Sequence, residues 1–254
     1  MLRKFLPLLL AAVLHADSYT DALHALKKVP FGFCFFDAGI TQQDLAHFDC
    51  LDINQERYFQ QFGDLADVEE RIADFLSYIG SNDPDLVSHL AKRLSFITNQ
   101  VMAASGRETA WVHLRASIPT DAYDIPRWHI DGHYFRPDPE ILMYRFALTL
   151  KGAPTIFYLL PNDQRDTAWK NMRFRDYMHQ WCTGPVVSPS PGEAVYFIGG
   201  SKDKGALHTE PPIHLPRLFL SIVPCSEEQL AGLKAKIVAI YPKDKTHNPT
   251  ASSP

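Results

Sequence analysis

The sequence predicts an α+β chain in which helices from the first half pack on a double-sheet jelly roll formed by the second. Three observations lead there. Apolar residues recur at helical spacing up to Gly106. After Gly106 the period falls to two. From there to Val223, short alternating or apolar runs are separated by Gly and Pro turns, about eight strands in all. With 254 residues, 46% of them hydrophobic, the chain is long enough to bury a core as one domain.

Each element has its own signal. Phe31 to Asp37 is apolar and aromatic and ends in Asp37-Ala38-Gly39, which fits a buried strand closed by a turn. Thr41-x-x-Asp44 resembles a capping box and starts a helix. Leu65, Val68, Ile72, Phe75, Leu76 and Ile79 form one apolar face of a second helix. Pro84 opens a third, which runs through Leu86, Leu90, Leu94, Ile97 and Val101 to the Gly106 stop. Trp111 to Ile118 then alternates. Val112, Leu114, Ala116 and Ile118 share one face, His113, Arg115 and Ser117 the other, and strand phase alone leaves open which face points inward. A loop with Pro119, Asp124 and Pro126 follows, then a short strand holding His129 and Asp131. Ile141–Leu150 and Thr155–Leu160 read as strands, Trp169–Trp181 as a short inserted helix, and Ala194–Ile198, Ala206–His208 and Arg217–Val223 as the closing strands.

The ends read differently. Residues 1–16 combine a basic start at Arg3 and Lys4, an apolar run from Phe5 to Leu14 and a small Ala16, the pattern of a signal peptide, so export is expected; the run is too short to span a bilayer. The rest divides into a mainly helical part over 17–106, a jelly-roll core over 107–240 and a flexible tail over 241–254, rich in Pro, Ser and Thr. Four cysteines, Cys34, Cys50, Cys182 and Cys225, would permit two disulfides after export with no pairing preferred, and the absence of Cys-x-x-Cys argues against a zinc knuckle. A net charge of −4 without a Lys/Arg run argues against a nucleic-acid partner and leaves a small molecule or a protein or peptide as the expected substrate. No Gly-x-Ser-x-Gly elbow is present for serine hydrolysis.

The chemistry concentrates on Trp128-His129-Ile130-Asp131-Gly132. On an extended chain alternate side chains share a face, so His129 and Asp131 can meet one metal ion. The pair alone is common, since His15-Ala16-Asp17 and His47-Phe48-Asp49 also occur. An oxygen-activating Fe(II) takes two histidines and a carboxylate on one face and keeps the other face open. His208 is chosen as the second histidine because it sits on a late strand, which a jelly roll folds against an early one; His214 competes for the place, and His133 reads as a neighbour of the ligands. Arg217, nine residues beyond His208, can make a paired hydrogen bond to a dicarboxylate.

Four landmarks in order resemble the Fe(II)/2-oxoglutarate-dependent dioxygenases, and most closely their prolyl-hydroxylase-like branch. They are Trp128-His129-Ile130-Asp131-Gly132; Leu148-Thr149-Leu150-Lys151-Gly152-Ala153-Pro154-Thr155; Pro191-Gly192-Glu193-Ala194-Val195-Tyr196-Phe197; and His208-Thr209-Glu210-Pro211-Pro212 through Pro216-Arg217-Leu218-Phe219-Leu220-Ser221. The likeness covers Trp111 to Pro224 and departs at Lys151-Gly152-Ala153-Pro154-Thr155, where the branch usually has Gly-Gly-x-Thr. It implies a double-stranded β-helix in which His129, Asp131 and His208 bind Fe(II) and carry catalysis. Arg217 would hold the distal carboxylate of the cosubstrate 2-oxoglutarate with help from Ser221, and dioxygen would take an open metal position in a hydroxylation. Arg145 and Thr149 are further candidates to face the pocket. The rival expectation from another class is a cupin-like jelly roll that binds metal or ligand without turnover.

Overall fold

The computed structural model describes residues 15–135, 142–240 and 246–247, and for residues 15, 237–240 and 246–247 the backbone alone. Nearly all of the expected signal peptide, and the tail apart from Thr246–His247, lie outside the described residues. Among the described residues no helix is long and apolar enough to cross a membrane, and all four cysteines are free.

Eight strands form one mixed sheet. These are β1 (His15–Ala16), β2 (Phe33–Asp37), β3 (Arg57–Gly63), β4 (Thr109–Ser117), β5 (Tyr144–Lys151), β8 (Glu193–Ile198), β10 (Arg217–Cys225) and β11 (Thr246–His247), in the spatial order β1-β2-β8-β5-β10-β4-β3-β11. All pairings are antiparallel except β1 with β2 and β11 with β3. A smaller sheet sets β6 (Ile156–Tyr158) between β7 (Val186–Val187) and β9 (His208–Thr209). The helices are α1 (Tyr19–Leu26), α2 (Gln42–Cys50), α3 (Val68–Tyr78), α4 (Pro84–Ser105), α5 (Arg165–Asn171), α6 (Arg175–Trp181) and α7 (Glu227–Ile240).

Local chemistry explains the helix boundaries. At α2 the capping box is complete: the Asp44 amide donates to Thr41 Oγ1, and the Thr41 amide donates to the Asp44 carboxylate. α4 starts at an Asp83 cap followed by Pro84 and stops at Gly106, whose φ of 62° most side chains resist. Its apolar stripe, Leu90, Leu94, Ile97 and Val101, is fully buried and meets one face of the large sheet through Leu114, Leu148, Leu220 and Ile222. Each such side chain contributes about 1.5–3 kcal/mol when withdrawn from water.

That packing settles which way β4 faces. Because the helices cover Val112, Leu114 and Ala116, the residues in the alternate phase, His113, Arg115 and Ser117, turn toward the small sheet. Phe33, Phe35, Phe157 and Phe197 join the two sheets, with Phe33 and Phe157 ring centroids 4.7 Å apart. The polar face of β4 is therefore interior, and a cavity of about 230 Å³ opens along it.

Several features depart from the sequence reading, among them the helix α1. The helical half also contributes β3, whose alternation is masked by the adjacent polar pair Gln60-Gln61, both of them buried. Residues 169–181 form parts of two short helices broken around Met172–Phe174 instead of one. A C-terminal helix, α7, follows the core. The His129/Asp131 segment is extended but joins the sheets only by a single bridge from His129 to His208.

Candidate metal and anion site

That bridge is what assembles the site. His129 and His208 exchange both backbone hydrogen bonds at 2.9 Å, so two segments 79 positions apart in sequence are set side by side. Their rings lie 4.4 Å apart. Asp131, two residues on, brings Oδ1 to 3.6 Å from His129 Nε2 and 3.7 Å from His208 Nε2. All three ligand atoms fall within 4.8 Å of one another, and among the described residues no other group of three His, Cys, Asp or Glu does so.

The hydrogen bonds behind these rings fix their chemistry. His129 Nδ1 lies 2.7 Å from the Arg127 carbonyl oxygen and His208 Nδ1 lies 3.1 Å from that of Ala206. A carbonyl can only accept, so in each ring Nδ1 carries the proton and the neutral form leaves a lone pair on Nε2. Two imidazole nitrogens and a carboxylate oxygen therefore face one small volume. The N, N, O composition of this set suits a divalent transition metal.

Charge reinforces the arrangement. Burial opposes ionisation of Asp131, but the Arg145 guanidinium and the two imidazoles hold its carboxyl well below the usual range. Burial also works against a charged His129, yet Asp131 and Glu210 raise it. For His208 burial dominates and, with His129 adding to it, lowers the imidazole to about 4, so it is neutral near pH 7.

Arg217 occupies another wall of the same cavity and is only 2% exposed. Its Nε donates to the Ala153 carbonyl at 2.9 Å, and Nη2 lies 3.3 Å from both Thr149 Oγ1 and Thr155 Oγ1. These partners are neutral, and among the described residues Arg217 forms no ion pair within 4.0 Å. Burial, with Arg115 adding to it, lowers the guanidinium only to about 10, so it stays charged. The turn that delivers Ala153 and Thr155 depends on Gly152, whose φ is 83° and where a Cβ would stand 2.8 Å from the Pro216 carbonyl oxygen. Lys151-Gly152-Ala153-Pro154-Thr155 thus supplies two of the groups that hold Arg217.

Ser221 shares the inward face of β10 with Arg217 and Phe219, but its hydroxyl accepts from Arg145 Nη2 at 2.8 Å rather than from Arg217. Thr149 reaches Arg217, and Arg145 reaches Asp131 Oδ2 at 3.1 Å. His214 and His133 line no part of this cavity. Sequence reasoning assigned no part to Tyr134, Trp111 or Glu210, all of which line it. Glu210 sits opposite Arg127, 2.5 Å from its Nη2, and although burial opposes ionisation, His129 and Arg127 lower its carboxyl to about 2. The antiparallel register of the His129–His208 bridge could have paired Arg127 with Glu210. Tyr134 lies in an irregular segment that carries no such signal.

No family model and no curated relative matches the chain. Among solved structures it is similar to a rice dioxygenase for auxin oxidation, at 10% identity over 83% of this chain and 79% of that one, TM-score 0.44. It is also similar to the auxin-oxidation dioxygenase of Arabidopsis thaliana in a 2-oxoglutarate complex, at 7% identity over 92% and 100%, TM-score 0.45. A third is a Pseudomonas putida prolyl-4-hydroxylase, at 12% identity over 82% and 99%, TM-score 0.40. All three are named as dioxygenases or hydroxylases, and at these identities and TM-scores residue roles do not transfer from them.

Proposed function

We propose that this chain is an Fe(II)- and 2-oxoglutarate-dependent oxygenase that hydroxylates a small-molecule, protein or peptide substrate. In this reading the two sheets are the halves of a double-stranded β-helix, with the cavity between them. One observation carries the proposal: a single cavity of about 230 Å³ holds three converging metal-ligand atoms and, on another wall, a buried guanidinium whose hydrogen-bond partners are all neutral. A divalent metal suits the first and a dicarboxylate the second.

His129, Asp131 and His208 would hold Fe(II), which when bound supplies the oxidising chemistry with dioxygen while 2-oxoglutarate is decarboxylated to succinate. The protein's part is binding and orientation. Arg217 would hold the distal carboxylate in a charge-assisted pair, with the Thr149 and Thr155 hydroxyls fixing the guanidinium plane. The aromatic walls, Trp111, Phe197 and Phe219, exclude water around the dicarboxylate and strengthen its pairing with Arg217.

The test is turnover. Purified chain supplied with Fe(II), 2-oxoglutarate and oxygen is expected to release succinate, faster once a substrate is found by screening, and Arg217→Ala is expected to release almost none. Metal binding with no effect of 2-oxoglutarate on any property of the protein would favour a ligand-binding jelly roll without turnover instead.

A further inference from the structure

We infer that Arg145 is a positioning residue that holds Asp131 so that only one carboxylate oxygen, Oδ1, is offered to a metal ion; this rests on the metal-site reading above. Arg145 lies on β5 and lines the cavity. Its Nη1 donates to Asp131 Oδ2 at 3.1 Å and to Tyr134 Oη at 2.9 Å. Its Nη2 donates to Ser221 Oγ at 2.8 Å. Tyr134 closes the triangle by donating its own hydroxyl proton to Asp131 Oδ2.

The guanidinium is held at both of its Nη groups. Ser221 is completely buried on β10, and the Arg145 guanidinium carbon lies 5.4 Å from the Trp111 ring centroid and 5.7 Å from that of Tyr134. A planar fork with an anchor at each end has little freedom to turn.

The two oxygens of Asp131 are therefore unequal. Oδ2 receives two donors, Arg145 and Tyr134, while Oδ1 faces the His129 and His208 Nε2 atoms at 3.6 and 3.7 Å. An unrestrained carboxylate can rotate about its last bond and grip an ion through both oxygens, which fills a further coordination position. Held by Oδ2, Asp131 gives one oxygen only, and the ion keeps the open positions that a cosubstrate and a small oxidant require.

Lysine at position 145 would keep the charge but not the geometry, because a single ammonium cannot reach Asp131, Tyr134 and Ser221 at once. The experiment is a Co(II) titration of the wild-type chain, Arg145→Lys and Ser221→Ala, without cosubstrate. It follows affinity by calorimetry and coordination by the cobalt ligand-field spectrum. Outer hydrogen bonds of this kind typically govern metal affinity by about 10–100-fold. Arg145→Lys is expected to bind Co(II) about 10–100-fold more weakly with an altered spectrum, and Ser221→Ala to shift both in the same direction by less. Wild-type affinity and an unchanged spectrum in Arg145→Lys overturn the inference, and if that variant does not fold, the same result in Ser221→Ala does so. A wild-type chain that takes up no Co(II) overturns the metal-site reading itself, and the positioning role with it.

Discussion

Replacing Arg217 by methionine separates a binding role from a structural one. The side chain is 2% exposed and its hydrogen bonds run to a carbonyl and two threonine hydroxyls, so it is a buried charge with no ion pair within 4.0 Å among the described residues. Methionine fills similar space. It strands up to three acceptors, at about 1 kcal/mol each, but removes a buried charge without a close ion pair, whose desolvation costs several kcal/mol. The unliganded variant is therefore expected to melt at the wild-type temperature or above it. Binding should respond in the opposite sense: losing one partner of a buried ion pair costs about 3–5 kcal/mol, or roughly 100- to 5,000-fold in Kd. Calorimetric titration of 2-oxoglutarate into Mn(II)-loaded wild type and Arg217→Met, together with melting curves of the metal-free proteins, reads both quantities. An affinity within about threefold of wild type, an order of magnitude short of that expectation, accompanied by a lowered melting temperature, would show that Arg217 serves the fold and not a dicarboxylate.

Two further expectations follow from the geometry. His208 is lowered to about 4 by burial, whereas an unfolded imidazole titrates near 6.5, so unfolding takes up a proton between those values. Stability from this residue is complete above about pH 6.5 and is lost as pH falls toward 4, at most roughly 3 kcal/mol, while the raised His129 acts in the opposite sense at higher pH. Urea midpoints of the metal-free chain should drop more between pH 7 and 4.5 in wild type than in His208→Gln, and equal drops would contradict the burial argument. Gly152→Ala must place a Cβ 2.8 Å from the Pro216 carbonyl oxygen and 3.1 Å from Arg217 Cα at a φ of 83°. A loss of about 1–3 kcal/mol in stability is expected together with weaker 2-oxoglutarate binding, and an unaffected Kd would mean that the turn does not position Arg217.

Much of this was legible in the sequence where period and chemistry agree. The α4 stripe, the Thr41–Asp44 box and the alternation from Trp111 to Ile118 each announce an element, and the structure contains all three. Strand phase put His129 and Asp131 on one face and the late-strand position pointed to His208 ahead of His214, whereas the backbone bridge that brings His208 beside them is visible only in the structure. What could not be read depends on three-dimensional partners. Whether His113 and Arg115 face water or a cavity is decided by α4 covering Leu114, a tertiary fact. Ser221 shares a face with Arg217, yet its hydroxyl goes to Arg145 on the neighbouring strand, a choice no spacing along β10 encodes. Tyr134 lies in an irregular segment, and nothing in its local sequence points to Asp131.

The most direct measurement is anaerobic visible absorption of the purified chain with Fe(II) and 2-oxoglutarate added separately and together. A metal-to-ligand charge-transfer band is expected only when both are present in wild type, absent in Asp131→Ala and His208→Ala, and requiring far more 2-oxoglutarate in Arg217→Met. Should no band form in the wild type, or should it persist undiminished in the His208→Ala variant, those side chains do not hold iron for this cosubstrate.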